Sequence, residues 1–160
     1  LTLRCVLAGI LAVVLLHVGL VADRLLPPLA ALDPDAAPAA FYAANLLLAR
    51  CLAAQDRDAQ ALEYARTATA IYPQEAQGHK LVGVLLLGQK DPAAAYEHLD
   101  RYDQLLPGDA GVTFLKGVSL EGMGRRQEAA GYYVAYLKRT QKGKAAEYAY
   151  SRLQGWGYVK

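Results

Sequence analysis

The chain has 160 residues, 54% of them apolar and 20% charged, with a formal net charge of +2 and an isoelectric point near 8.5. That length accommodates one domain with an appendage. The modest charge excludes the strongly basic surface of a nucleic-acid binder, and two cysteines, Cys5 and Cys51, exclude a disulfide framework.

Residues 5–22, CVLAGILAVVLLHVGLVA, form an apolar run interrupted only by His17. A helix crosses the hydrocarbon core with about 20 such residues. A cleaved signal peptide would place small residues at −3 and −1. Before Asp23 those positions hold Leu20 and Ala22, a poor match, and Cys5 precedes the run where a lipoprotein cysteine would follow it. Residues 1–24 are therefore expected to be an uncleaved, single-pass transmembrane anchor in contact with membrane lipid. Arg4 and Arg24 flank the run, one on each side, so the positive-inside rule expresses no preference. One anchor with its whole domain behind it is the signal-anchor arrangement, which places that domain in the periplasm or otherwise outside the cytoplasm. His17 is a candidate functional group because ionisable residues inside a span are costly. With no second ligand on this chain, it is expected to hydrogen-bond a neighbouring helix. Residues 25–38 carry Pro27, Pro28, Pro34 and Pro38 and form a Pro/Ala-rich linker. Pro38 is placed to open the first helix of the domain, where its missing N–H is not needed.

From residue 39 the chain repeats itself. Setting Pro73 and Pro107 in register gives frames of 34 residues at about 42–75, 76–109 and 110–143. The eighth residue of each is small (Ala49, Gly83, Gly117), the eleventh is leucine (Leu52, Leu86, Leu120), and the twentieth is alanine (Ala61, Ala95, Ala129). The twenty-fourth is Ala65, Leu99 or Tyr133, and the twenty-seventh is Ala68, Tyr102 or Tyr136. Small residues at positions eight and twenty let two antiparallel helices approach closely, and the larger ones fill the gap to the next pair. This pattern resembles the tetratricopeptide repeat (TPR) family. The second frame matches it best. The fourth position, often tryptophan in the family, is Asn45, His79 or Thr113 here, and the third frame ends with Gln141 in place of proline.

The resemblance implies an all-α fold in which residues 39–160 form three stacked TPR hairpins. Helices are expected at 39–54, 57–71, 75–88, 92–105, 109–122 and 126–139, with Asp91 as an N-cap ahead of Pro92 and Gly124 as a helix terminator. A stack of hairpins exposes an apolar face at its end. Ala145, Ala146, Ala149, Leu153 and Trp156 share one stripe, so a capping helix is expected at about 143–155.

No GxGxxG, P-loop, CxxC, HExxH or GxSxG motif occurs, and without a nucleophile, base or cofactor constellation no enzyme activity, cofactor or metal is expected. "EHLDRYD" at 97–103 clusters acids with His98. Leu99 and Tyr102 occupy its buried face, so the charged members are expected to point to water. Charge is lopsided: residues 1–122 carry net −4 and residues 123–160 net +6. That face suits solvent, an acidic protein or anionic headgroups, and nucleic acid is not expected.

The first helices of such a stack line a concave wall. The resemblance implies that this wall binds protein, with groove positions at Ala43, Leu46, Arg50 and Ala53, then Gln77, Lys80, Val84 and Leu87, then Gly111, Phe114, Val118 and Glu121. Arg50 and Lys80 do not reproduce the lysine-and-asparagine set by which some TPR domains clamp a terminal carboxylate. Two functions follow as expectations. One is a membrane-anchored scaffold or assembly factor of a bacterial-type envelope. The other is a constitutive accessory subunit of a larger membrane complex, respiratory or photosynthetic.

Overall fold

The computed structural model describes residues 38–159, where every regular element is a helix. In chain order they are α1 (Pro38–Ala53), α2 (Asp58–Ile71), α3 (Ala76–Gly88), α4 (Pro92–Leu105), α5 (Ala110–Gly122), α6 (Arg126–Leu137) and α7 (Lys144–Gly155). Each lies within two residues of the bounds expected from sequence, and the capping residues explain why. Asp91 accepts the Ala94 amide at 3.1 Å ahead of Pro92, and Asp109 accepts the amides of Gly111 and Val112 at 2.7 and 3.2 Å; such caps satisfy donors that the first helical turn leaves open. No described helix is long and apolar enough to cross a membrane. The expected anchor, His17 and Cys5 lie outside the described residues.

Helices pair as α1 with α2, α3 with α4 and α5 with α6; the pairs then meet through α2–α3, α4–α5 and α6–α7. First helices also touch in succession, α1 to α3 to α5, and so line one wall of the stack. The eighth position of each frame shows what lets a pair close. A Cβ built on Gly83 would lie 2.7 Å from Leu99 Cγ, and one on Gly117 would lie 2.7 Å from Tyr133 Cε1. Neither helix could approach its partner as it does with a larger residue there. Position eleven supplies fully or almost fully buried leucines, Leu52, Leu86 and Leu120, each contributing roughly 1.5–3 kcal/mol through burial.

The turn inside each hairpin is the same structure made from different residues. Asp56 (φ 58°), Lys90 (φ 62°) and Gly124 (φ 77°) hold the left-handed conformation. Their amides bond to Ala53, Leu87 and Glu121, and the next amides to Leu52, Leu86 and Leu120, at 2.9–3.1 Å. This is the Schellman termination, repeated at a spacing of 34.

The same termination closes α7, where Gly157 (φ 79°) bonds to Gln154 and Tyr158 to Leu153. Leu153 thus stands where Leu120 stands, 33 residues on, and α7 has the geometry of a fourth first helix. Its Ala146, Ala149 and Leu153 are buried in the cluster formed by Leu120, Ala129, Ala130, Tyr133 and Tyr136, with Ala145 and Trp156 packed at the edge. Position eight of that helix is Tyr150, 46% exposed. The other three first helices carry nothing larger than a methyl group there, so an aromatic ring excludes a second helix at the usual distance.

Candidate functional site

The first-helix wall is open between α1 and α3. Leu46 and Arg50 from α1 and Gln77, Lys80, Leu81 and Val84 from α3 line a cleft of about 390 Å³. The α3 set follows the i, i+3, i+4, i+7 spacing of one helical face. Five of these six are groove positions named from the repeat frame. Leu81 is the sixth; the frame rule passed over it, although its i+4 spacing from Gln77 was visible in the sequence. Val84 is 42% exposed, an apolar side chain kept in water.

The two cations of the cleft are unequal. Lys80 Nζ donates to Asp109 Oδ2 at 2.6 Å and lies 5.3 Å from the Tyr102 ring centre, while the Tyr102 hydroxyl donates to the same carboxylate oxygen at 3.1 Å. Burial alone would raise the Asp109 carboxyl, but hydrogen bonds from Lys80, the Val112 amide and Tyr102 hold it below the ordinary range. Lys80 is therefore fixed and largely neutralised. Arg50 is exposed and has no carboxylate partner among the described residues, so it is the cation available to a ligand.

The wall between α5 and α7 is closed. Phe114, expected to line the groove, is half-buried, with ring centres 5.8 Å from Tyr133, 5.2 Å from Tyr136 and 5.9 Å from Tyr148. Val118 packs on the same cluster. Glu121 accepts the Tyr133 and Tyr148 hydroxyls at 2.6 and 3.3 Å and pairs with Arg152, which consumes its charge inside the fold. Leu87 packs into the core rather than the cleft, as does Ala53, while Ala43 and Gly111 are exposed outside it. Phe114, Val118 and Glu121 depart from the frame rule because α7 fills the wall beside α5. No second helix behind α7 was needed to do so.

The acids of EHLDRYD do not all point to water. Lys116 on α5 is only 3% exposed and donates to Asp100 at 2.7 Å and Asp103 at 3.1 Å. Its ammonium lies 5.5 and 5.2 Å from the ring centres of Tyr96 and Tyr132, whose hydroxyls are 3.1 Å apart. Burial works against the charge, but the two carboxylates more than offset it and raise the Lys116 pKa. Tyr96 is pushed up to about 12 by burial and by its bond with Tyr132. Sequence reasoning missed this lysine because position seven holds Leu48 and Val82 in the other frames. The available signal was Asp100 and Asp103 three apart on the preceding helix.

Polar residues at the fourth position are satisfied locally. Asn45 donates to the Phe41 carbonyl at 2.8 Å and Thr113 to the Asp109 carbonyl at 3.1 Å. His79 Nε2 faces the Pro73 carbonyl at 3.2 Å and can only donate there, so its Nδ1 accepts from His98 Nδ1 at 3.1 Å. With ring centres 5.3 Å apart, the two nitrogens point at one another, so the His98 N–H is directed at the His79 lone pair. Among the described residues no group of three or more metal-ligating side chains converges.

No protein-family model and no curated protein matches the chain. Solved structures do match in fold. The TPR domain of Arabidopsis OM64 superposes with a TM-score of 0.66 at 15% identity, over 72% of this chain and 95% of that one. The MamA protein superposes at 0.57 and 18% identity, over 74% of this chain, which spans 60% of the MamA chain. The N-terminal domain of stress-induced protein-1 from C. elegans superposes at 0.57 and 11% identity, over 69% of this chain and 93% of that one. The described residues have the all-helical TPR fold.

Proposed function

We propose that this protein is a protein-interaction module, held at a membrane by residues 1–24, that serves as a scaffold or assembly factor. The observation that carries this is the open α1–α3 cleft, where exposed Val84 and Arg50, which has no carboxylate partner among the described residues, stand beside Leu46 and Leu81. An apolar cleft lining kept in water beside an available cation marks a contact surface. The partner segment that fits it offers an apolar side chain to Leu46, Leu81 and Val84 and a carboxylate to Arg50. The TPR fold supports a binding role, and the absence of any catalytic motif in the sequence argues against chemistry.

The test is affinity purification of the full chain from mild detergent, parent against Arg50→Glu/Val84→Asp. Both side chains are exposed, so the double variant should melt within about 1 kcal/mol of the parent while losing its partner. Partner recovered at parental yield would overturn the cleft assignment. A fixed subunit ratio in the parent would instead identify a constitutive accessory subunit of a larger membrane complex.

A further inference from the structure

The α6–α7 turn, KRTQKGK at residues 138–144, is the strongest unexplained charge on the domain. Lys138, Arg139, Lys142 and Lys144 are all exposed. Arg139 donates to the Gly108 carbonyl at 2.6 Å, which holds the turn against the α4–α5 turn without neutralising anything. Lys138, Lys142 and Lys144 have no carboxylate partner among the described residues, although Glu147 lies one helical turn away. Four like charges within seven residues repel one another, and an anion from outside relieves that repulsion.

Beside them lies a shallow cleft of about 380 Å³ lined by Leu137, Gln141, Ala146, Glu147 and Tyr150, with Tyr148 also exposed on α7. Charge is polarised along the domain. Residues 38–137 carry net −2 and residues 138–159 net +4, so a negative surface repels the body and attracts this end.

We propose that the α6–α7 turn is a docking surface for an anionic lipid bilayer. Lysines without fixed partners suit mobile headgroups better than the bidentate acceptors for which arginine is used. Tyrosine, apolar in body and polar at its tip, suits the interface that such a turn would meet. The inference rests on the membrane-anchored reading for its supply of lipid. The 15 residues between positions 23 and 37 reach at most about 50 Å when extended, which keeps the domain close to any bilayer that holds residues 5–22. Near an anionic surface each cation contributes on the order of a fivefold gain in partition.

The test uses the full chain in nanodiscs of phosphatidylcholine, with or without about 30% phosphatidylglycerol, and reads lysine acetylation by mass spectrometry. Lys138, Lys142 and Lys144 should label on the order of fivefold more slowly in anionic discs, while Lys90 keeps its rate as the internal control. Salt at about 0.5 M shortens the Debye length to roughly 4 Å and should restore the rates. Equal labelling in the two disc types overturns the proposal. Protection by soluble polyglutamate but not by anionic discs also overturns it, and assigns the surface to an acidic protein. A chain that fails to load into neutral discs shows that the anchor reading is at fault. Flotation with phosphatidylglycerol vesicles then decides the turn separately: it should occur, and Lys138→Glu/Lys142→Glu/Lys144→Glu, with an unchanged helical spectrum, should abolish it. Failure to float, or flotation of the triple variant as well as the parent, overturns the proposal.

Discussion

Lys116 offers a sharp test of the packing between the second and third hairpins, because the two ways of breaking its ion pairs should give opposite results. Its ammonium is buried, whereas Asp100 and Asp103 are 38% and 34% exposed at the side chain. Asp100→Asn/Asp103→Asn leaves a charge in the interior with only two aromatic faces to stabilise it. Removing one side of a buried pair costs about 3–5 kcal/mol, and the partial access of water to this site favours the low end, about 3 kcal/mol. For a domain of this size that lowers the melting temperature by roughly 12 °C. Lys116→Met removes the buried charge instead, keeps a flexible apolar chain of similar length between Tyr96 and Tyr132, and lets both carboxylates rehydrate. It should stay within about 1 kcal/mol of the parent, since buried pairs replaced by apolar residues are often neutral. Thermal and urea denaturation, followed by helical circular dichroism, measure both variants. Equal destabilisation would refute the reasoning, because it would mean that the ion pairs contribute net stability instead of compensating for a buried charge.

Three further outcomes follow from single features. Lys90→Gly should stabilise by roughly 0.5–1 kcal/mol and Gly124→Ala should destabilise by about 1 kcal/mol, because both positions require positive φ; urea midpoints decide this. Phe114→Ala should cost about 2–3 kcal/mol, below the full core value because the ring is half-buried, whereas Val84→Ala should change stability by no more than about 0.5 kcal/mol. His98 is held below its ordinary value by burial foremost, then by His79 and Arg66. Below a pH of about 6.5 the unfolded chain takes up a proton that the folded chain refuses, so stability should fall as pH drops from there and stay level above it. Asp100 and Asp109, held low by their partners, remain ionised throughout that window and do not contribute. His98→Phe should flatten the slope between roughly pH 6.5 and 5, measured as urea midpoint against pH; an unchanged slope would sink the assignment.

The local half of this structure was legible in the residues themselves. Asp91 with Pro92, and Gly124, mark helix ends because capping and left-handed geometry are properties of a few neighbouring residues. Ala49, Gly83 and Gly117 disclosed the helix pairs because only small residues permit that approach, and the spacing of 34 disclosed the stack. Pair interactions between distant positions could not be found this way. Nothing near residue 116 says that a lysine will sit where other frames place leucine or valine; that depends on carboxylates 13 and 16 residues earlier meeting it across a helix interface. The same holds for the groove. A frame rule assigns equal roles to Leu46, Val84, Phe114 and Glu121, yet only the first two line the open cleft. What separates them is α7, which packs against the third hairpin and turns Phe114, Val118 and Glu121 inward. Periodicity determines which face of a helix is apolar, but only the neighbour that arrives in three dimensions decides whether that face remains in contact with water.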